Sequence, residues 1–255
     1  MVSGDLNPPP IQYNNHTFIE TNVTSWDDLS ALFDLAKQKH GRIDHAFANA
    51  GIAGRASFLE ENLDANGKLQ EPNHLVNEIN LKAVLNTSAL AFHHFRHQDP
   101  AGGSVVATAS ASSFTRFRIV DYTTAKHGVL GFIRGMTAAL QAEKLPIRVN
   151  GVAPNWTATA IISKETVDFI KATGAAVQGP DVVARSVAVL MADEKREGEL
   201  IYSNGGEYWE IEGVAMKYAQ KIMGNRTSDD DLNRIVMLGD LQHAGNGDGV
   251  QADGH

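Results

Sequence analysis

Short apolar, β-branched runs alternate along this chain with longer segments of helical period, and that alternation restricts the fold more than any other feature. Thr17–Glu20, Ile43–Ala48, Ser104–Thr108, Ile147–Val152 and Glu199–Tyr202 read as strands. Ser25-Trp26-Asp27-Asp28 is close to a capping box, and Leu29, Leu32, Phe33 and Ala36 form the apolar stripe of the helix it opens. Gly41 ends that helix after Lys37, Lys39 and His40, cations that suit a helix C-terminus. Asn73 to about Gln98, Asp121–Glu143 and Pro180–Asp193 are further helices. Strands joined through helices run parallel, with helices on both faces: the α/β, doubly wound, Rossmann-like class. At 255 residues and 43% hydrophobic, one core in a single domain is the natural reading.

That domain is expected to span residues 1–223, with 224–255 as a flexible tail. The tail holds Asp229-Asp230-Asp231 and Gly245-Asn246-Gly247-Asp248-Gly249, and no glutamate closes a twelve-residue calcium loop there. The net charge of −8 argues against a nucleic-acid partner or an anionic membrane surface. No apolar run reaches the ~20 residues of a membrane helix. The absence of cysteine removes disulfides and thiolate catalysis, and no signal peptide is visible, so a cytoplasmic location is expected. No metal site is expected. His93 and His97 have ligand spacing, but no acidic or cysteine partner is nearby, and they read as a solvated helix end.

The chemistry concentrates where strands end. Tyr122 and Lys126 lie one helical turn apart, on one face. A free phenol titrates near ~10 and is a poor base at neutral pH. A neighbouring ammonium stabilises phenolate, which would let Tyr122 exchange a proton with an alcohol or carbonyl oxygen. The same pair also suits a buried tyrosine beside a solvated lysine. Ser110 follows the strand Ser104–Thr108 and precedes Tyr122 by twelve residues, at a carboxyl end where α/β sheets bind ligands. Asn49-Ala50-Gly51 follows Ile43–Ala48 in the same way. Asn80 falls on the buried face of its helix with Val76, Ala83, Val84 and Thr87, so its amide needs a structural bond or a positioned water.

Taken together these segments resemble the short-chain dehydrogenase/reductase family of the Tyr-x-x-x-Lys type, from about Gly4 to Glu212. Ala48-Asn49-Ala50-Gly51 is similar to its Asn-Asn-Ala-Gly motif, and Asn80, Ser110, Tyr122 and Lys126 match its catalytic asparagine, serine, tyrosine and lysine. The serine spacing is about one residue short, which makes Ser112 a minor alternative. Arg148–Pro154 resembles the strand before the family's Pro-Gly-x-Val-x-Thr segment, with Asn155 for the glycine, Thr157 for the valine and Thr159 keeping the threonine. The resemblance implies a nicotinamide cofactor held by Asp5, Asn22, Val23, Asn49, Tyr122, Lys126, Thr157 and Thr159. An acid at Asp5 disfavours a 2′-phosphate and points to NAD, with NADP as the alternative. It further implies a secondary alcohol or ketone as substrate and a homo-dimer or tetramer. The apolar stretch Thr159 to about Gly174, with Ile161, Ile162, Val167, Phe169 and Ile170, corresponds to the family's substrate loop. It fits either a lipophilic substrate such as a terpenoid, steroid or polyketide, or simple packing of the loop.

One element of the family has no counterpart in this sequence: the first strand with its Thr-Gly-x-x-x-Gly-x-Gly loop and helix. Met1–Asp5 looks like the end of the family's second strand. The expectations are therefore a split sheet, weak dinucleotide binding, and a natural protein ~25–35 residues longer at its N-terminus, the size of a βα unit. The alternative to an oxidoreductase is a non-catalytic member acting as an oligomerisation partner.

Overall fold

The computed structural model of the chain describes residues 1–11 and 13–224, together with Asn233 and Val236. The expected flexible tail lies almost wholly outside the described residues. The chain divides into two units, Met1–Glu212 and Gly213–His255. The first unit carries the sheet.

Among the described residues seven strands form: β1 (Val2–Asp5), β2 (Thr17–Glu20), β3 (His45–Ala48), β4 (Gly103–Thr108), β5 (Ile147–Pro154), β6 (Leu200–Asn204) and β7 (Glu207–Glu210). The helices of this unit are α1 (Trp26–His40), α2 (Leu75–Asn77), α3 (Ala83–Arg96), α4 (Val120–Ala142), α5 (Lys164–Ala172) and α6 (Pro180–Ala192); α7 (Glu212–Ile222) lies almost wholly in the second unit. The local reasons are those the sequence shows. Ser25 caps α1 by accepting from the Asp28 amide, and Gly41 closes it in the left-handed region at φ 75°.

The sheet is split, as the sequence leads one to expect: among the described residues β1 pairs only with β2, and a separate sheet runs β3-β4-β5-β6-β7. Its far edge is antiparallel, because Gly205 and Gly206, at φ 61° and 94°, form a two-residue turn that folds β7 back on β6. The other pairings among these strands are parallel.

The Val-Val-Ala run of β4 is apolar throughout because both its faces are covered. Val105 and Ala107 join α1, α3 and α4 in the main core, around Leu29, Phe95, Val129 and Ile133. Val106 points the other way, onto Val152, Ile201 and the α6 residues Val187 and Leu190. Cover is thinner on β3, where Phe47 is 38% exposed. No described helix is long and apolar enough to cross a membrane.

Candidate active site

The carboxyl ends of β3 and β4 and the first turns of α4 meet at one place. Lys126 is buried in α4 at 2% exposure, and its ammonium donates to the Thr108 carbonyl at 2.7 Å. Its Nζ lies 5.7 Å from the centre of the Tyr122 ring. Burial alone pushes the lysine down from 10.5 to about 8. Thr108 links this group to Asn49, donating its hydroxyl to the Asn49 amide oxygen at 2.9 Å.

Tyr122 differs from the sequence expectation. Its phenol is raised above the ordinary value because burial outweighs a hydrogen bond with Ser110 that acts to lower it. The lysine is aimed at the Thr108 carbonyl, and the protein alone therefore keeps the phenol protonated. Ser110 sits at the start of a 3₁₀ turn over Ala111–Ser113 that it caps through the Ser112 amide. Ser113 ties the turn to α4 by donating to the Lys126 carbonyl at 2.7 Å. Of the two candidate serines, Ser110 contacts the phenol, whereas the Ser112 hydroxyl is buried without a hydrogen-bond partner.

Asn80 is fully buried in a π-helical turn, Glu78–Lys82, between α2 and α3. Both ends of its amide are spent on one residue: Oδ1 accepts from the Ile52 N–H and Nδ2 donates to the Ile52 carbonyl, each at 2.8 Å. The structural bond that the sequence left open as one alternative is thus present. The clamp holds the chain directly after Asn49-Ala50-Gly51. A Cβ at Gly51 would lie 3.3 Å from Asn80 Oδ1 and 3.8 Å from Lys126 Nζ, so the glycine opens the floor between them.

Sequence reasoning missed Asp121. It is 1% exposed, with Oδ2 accepting from the amides of Arg55 and Ala56 and Oδ1 from that of Tyr122, all at 2.8 Å. Burial works to raise this carboxyl, but the three amides outweigh it and hold it below the ordinary range. An acid in the first turn of a helix is common, so the sequence carried no distinguishing signal. Gln178 was also missed. Its amide nitrogen donates to Thr157, the Ser203 carbonyl and the Ser203 hydroxyl, while its buried oxygen has no partner.

The remaining expected residues are spread over neighbouring strand ends. Asp5 is exposed at the end of β1 and accepts from the Asn7 amide. The Asn22 carboxamide oxygen accepts from Thr24, and Val23 packs on the core. Thr157 donates to the Asn155 carbonyl, and Thr159 accepts from the Ile161 amide. The stretch expected as a substrate loop contains α5, capped by Ser163. Val167 and Ile170 are buried there, while Ile161 and Phe169 are exposed at 47% and 70%.

The match to known sequences decides the family. Residues 11–168 match the model of the short chain dehydrogenase family. The chain is a short-chain dehydrogenase. It is 42% identical over 245 residues to a short-chain dehydrogenase/reductase, ascJ, of Acremonium egyptiacum, covering 92% of this chain and 82% of that one. It is 32% identical to a cyclohexanol dehydrogenase of an Acinetobacter species, over 69% of this chain and 67% of the relative. Two further curated relatives are spanned over only 60% and 57% of their lengths. Among solved structures, an NADPH-dependent 3-quinuclidinone reductase of Rhodotorula rubra superposes with a TM-score of 0.60 at 18% identity, covering 75% of this chain and 71% of that one. The short-chain dehydrogenase thus has the Rossmann-like fold of its family, and an oxidoreductase role using a nicotinamide cofactor follows from membership.

Proposed function

We propose that this chain interconverts a secondary alcohol and its ketone, with Tyr122 exchanging the hydroxyl proton. The observation that carries the reading is the convergence of Ser110, Tyr122 and Lys126 at the carboxyl end of β4. When bound, a nicotinamide supplies or accepts the hydride. The open floor at Gly51 and the unpartnered Gln178 oxygen are features that fit such a ring with its carboxamide. Lys126 and Asn49 would hold its ribose, and Thr157 and Thr159 its carboxamide side. Asp5, at the end of β1, and Asn22, just past β2, would meet the adenosine, and the acid favours NAD over NADP.

The residues divide the work simply. Ser110 hydrogen-bonds the oxygen that changes charge, and Tyr122 gives or takes its proton. In the free chain Tyr122 is a phenol, ready to donate to a ketone. Acting as a base requires added positive charge nearby, which an oxidised nicotinamide brings. Asn80 holds the floor of the site through Ile52.

A lipophilic substrate is supported by aromatic rings beside the site. Phe117 meets Trp156 edge to face at 6.1 Å, and Phe114 meets Tyr202 at 5.6 Å. Phe114 and Phe117 come from the segment that follows Ser110, Trp156 from the one that follows β5, and Tyr202 from β6. Cyclic alcohols of the kind named for the cyclohexanol dehydrogenase, or larger terpenoid, steroid or polyketide rings, suit that wall.

The break between β1 and β3 supports the reading that a further strand belongs there, bringing the phosphate-binding loop with it. Titrating NAD and NADP calorimetrically into this chain and into an N-terminally extended form tests that idea: micromolar binding by this chain alone would sink it. The catalytic reading is tested by Tyr122→Phe in the cofactor-binding form, for which turnover of cyclohexanol should fall by about 10²–10⁴-fold. Turnover at the unsubstituted level refutes it. The non-catalytic alternative predicts no turnover in either form.

A further inference from the structure

We propose that Asp121 is a positioning residue that latches the Ile52–Ala56 segment onto the first turn of α4 and thereby sets the burial of Tyr122. The inference rests on Tyr122 being the proton-exchanging group but can be tested apart from it. Four observations carry it.

Asp121 is a buried carboxylate whose partners are main-chain amides: Arg55 and Ala56 on one oxygen, Tyr122 on the other. A carboxylate taken out of water needs such compensation, and charge-assisted bonds to three amides supply it. The bonds join two stretches of chain that are more than sixty residues apart, and one partner is the amide of Tyr122 itself.

The latched segment is fixed at its other end by Asn80, which holds both backbone groups of Ile52. The segment between is therefore pinned twice within five residues. Its first pin adjoins Gly51, beside the Lys126 ammonium.

Gly54, between the pins, has no room for a side chain. A Cβ there would come within 2.0 Å of Ile119 Cγ2, 2.7 Å of Asp121 Oδ1 and 3.4 Å of Tyr122 Cβ. The backbone at Gly54 thus lies against the base of the catalytic tyrosine.

Finally, the Tyr122 phenol is raised chiefly by burial. Whatever covers the tyrosine sets its readiness to hold a proton, and the Gly54 backbone packs at the root of its side chain. Releasing the latch should wet the phenol.

Asp121→Asn keeps the shape but sets an N–H₂ group against at least one of the three amide donors. Gly54→Ala keeps the charge and wedges the latch apart. Phenol ionisation is followed by ultraviolet difference titration, with Tyr122→Phe subtracted to isolate Tyr122, and needs no substrate. Both variants should titrate lower than the unsubstituted chain, toward the ordinary value of about 10. Exchange of the Arg55, Ala56 and Tyr122 amides should quicken in both. In the cofactor-binding form, cyclohexanol turnover should fall about tenfold in kcat with cofactor affinity changed less than twofold. The double variant should lose little more than either single one, because both break the same contact. Gly103→Ala, which crowds the Phe95 ring far from this segment, should lower Tm without moving the Tyr122 titration or kcat.

An unchanged Tyr122 titration in Asp121→Asn overturns the proposal, whatever happens to Tm. If that variant does not fold, Gly54→Ala decides alone by the same reading. Should Tyr122→Phe retain full turnover, the catalytic role of the tyrosine fails while the titration still judges the latch.

Discussion

Replacing Lys126 by methionine should make the protein more stable at neutral pH, and the size of the effect follows from burial. The ammonium is 2% exposed, and its downward shift has burial as its one cause, with no carboxylate offsetting it. A group at 10.5 when unfolded and about 8 when folded carries a penalty of about 3 kcal/mol wherever both states are protonated, that is below pH 8. Between pH 8 and 10.5 the unfolded state binds more protons than the folded one, so stability rises with pH. By pH 10 most of that penalty should have been relieved. Methionine has a similar length and no charge. It forfeits the bond to the Thr108 carbonyl, worth about 1 kcal/mol. The variant should therefore gain about 2 kcal/mol at pH 7, and that advantage should vanish by pH 10. The assay is urea unfolding of both proteins at pH 7, 8.5 and 10, taking the difference so that other titrating groups cancel. A Lys126→Met protein less stable than the parent at pH 7, or a difference that stays flat to pH 10, would show that the ammonium is not a buried charge held against its own solvation.

Other perturbations have equally definite outcomes. Asn80→Ala strands the N–H and carbonyl of Ile52 and should destabilise by about 2–4 kcal/mol in urea unfolding, with amide exchange at Ile52 accelerated. Gly103→Ala drives a methyl to 2.5 Å from the Phe95 ring, and the overpacking should lower stability by about 1–3 kcal/mol in the same assay. Reversing the acid at the end of β1, Asp5→Arg, should turn cofactor preference in the cofactor-binding form from NAD toward NADP, read as the ratio of the two dissociation constants.

What could be read from the chain follows from how local each signal is. The frame of α1 is written in adjacent residues: Ser25 caps it, its cations sit in the last turn, and Gly41 closes it. β4 announced itself because a strand covered on both faces must be apolar at successive positions. The β6–β7 hairpin also had a local signal, Gly205-Gly206 between two short runs, yet Glu207–Glu210 has charged ends and little apolar content, so alternation did not mark it. α5 was hidden differently, since Ser163 and Glu165 are ordinary capping residues within a stretch read for its apolar side chains. The break between β1 and β3 was legible through the family resemblance, because the strand that would lie between them has no counterpart in the sequence. In the site, Tyr122 and Lys126 share a helix, so their spacing was enough to place them on one face. The links from Asn80 to Ile52, Thr108 to Asn49, and Asp121 to Arg55 and Ala56 join residues 28 to 66 positions apart. Nothing in the helical period distinguishes the π-helical turn that carries Asn80.

These long-range links share one physical origin. At the carboxyl end of a parallel strand the ladder stops, and the backbone groups beyond it still need partners. Here side chains supply them: Asn80 for Ile52, Lys126 for Thr108, and Asp121 for Arg55 and Ala56. The chemistry gathers at this spot because buried polar side chains are held in place by finishing the backbone's hydrogen bonding. That arrangement separates the three groups by sign. Asn80 is neutral and bonded at both ends of its amide, and Asp121 is charged but compensated by three amides, so removing either should destabilise the fold. Lys126 has one carbonyl against the full solvation of an ammonium, so its removal should stabilise. A lysine carried at a stability cost of that size fits the role proposed for it beside Tyr122, and opposite stability changes in Asn80→Ala and Lys126→Met, measured side by side, are the signature this reasoning requires.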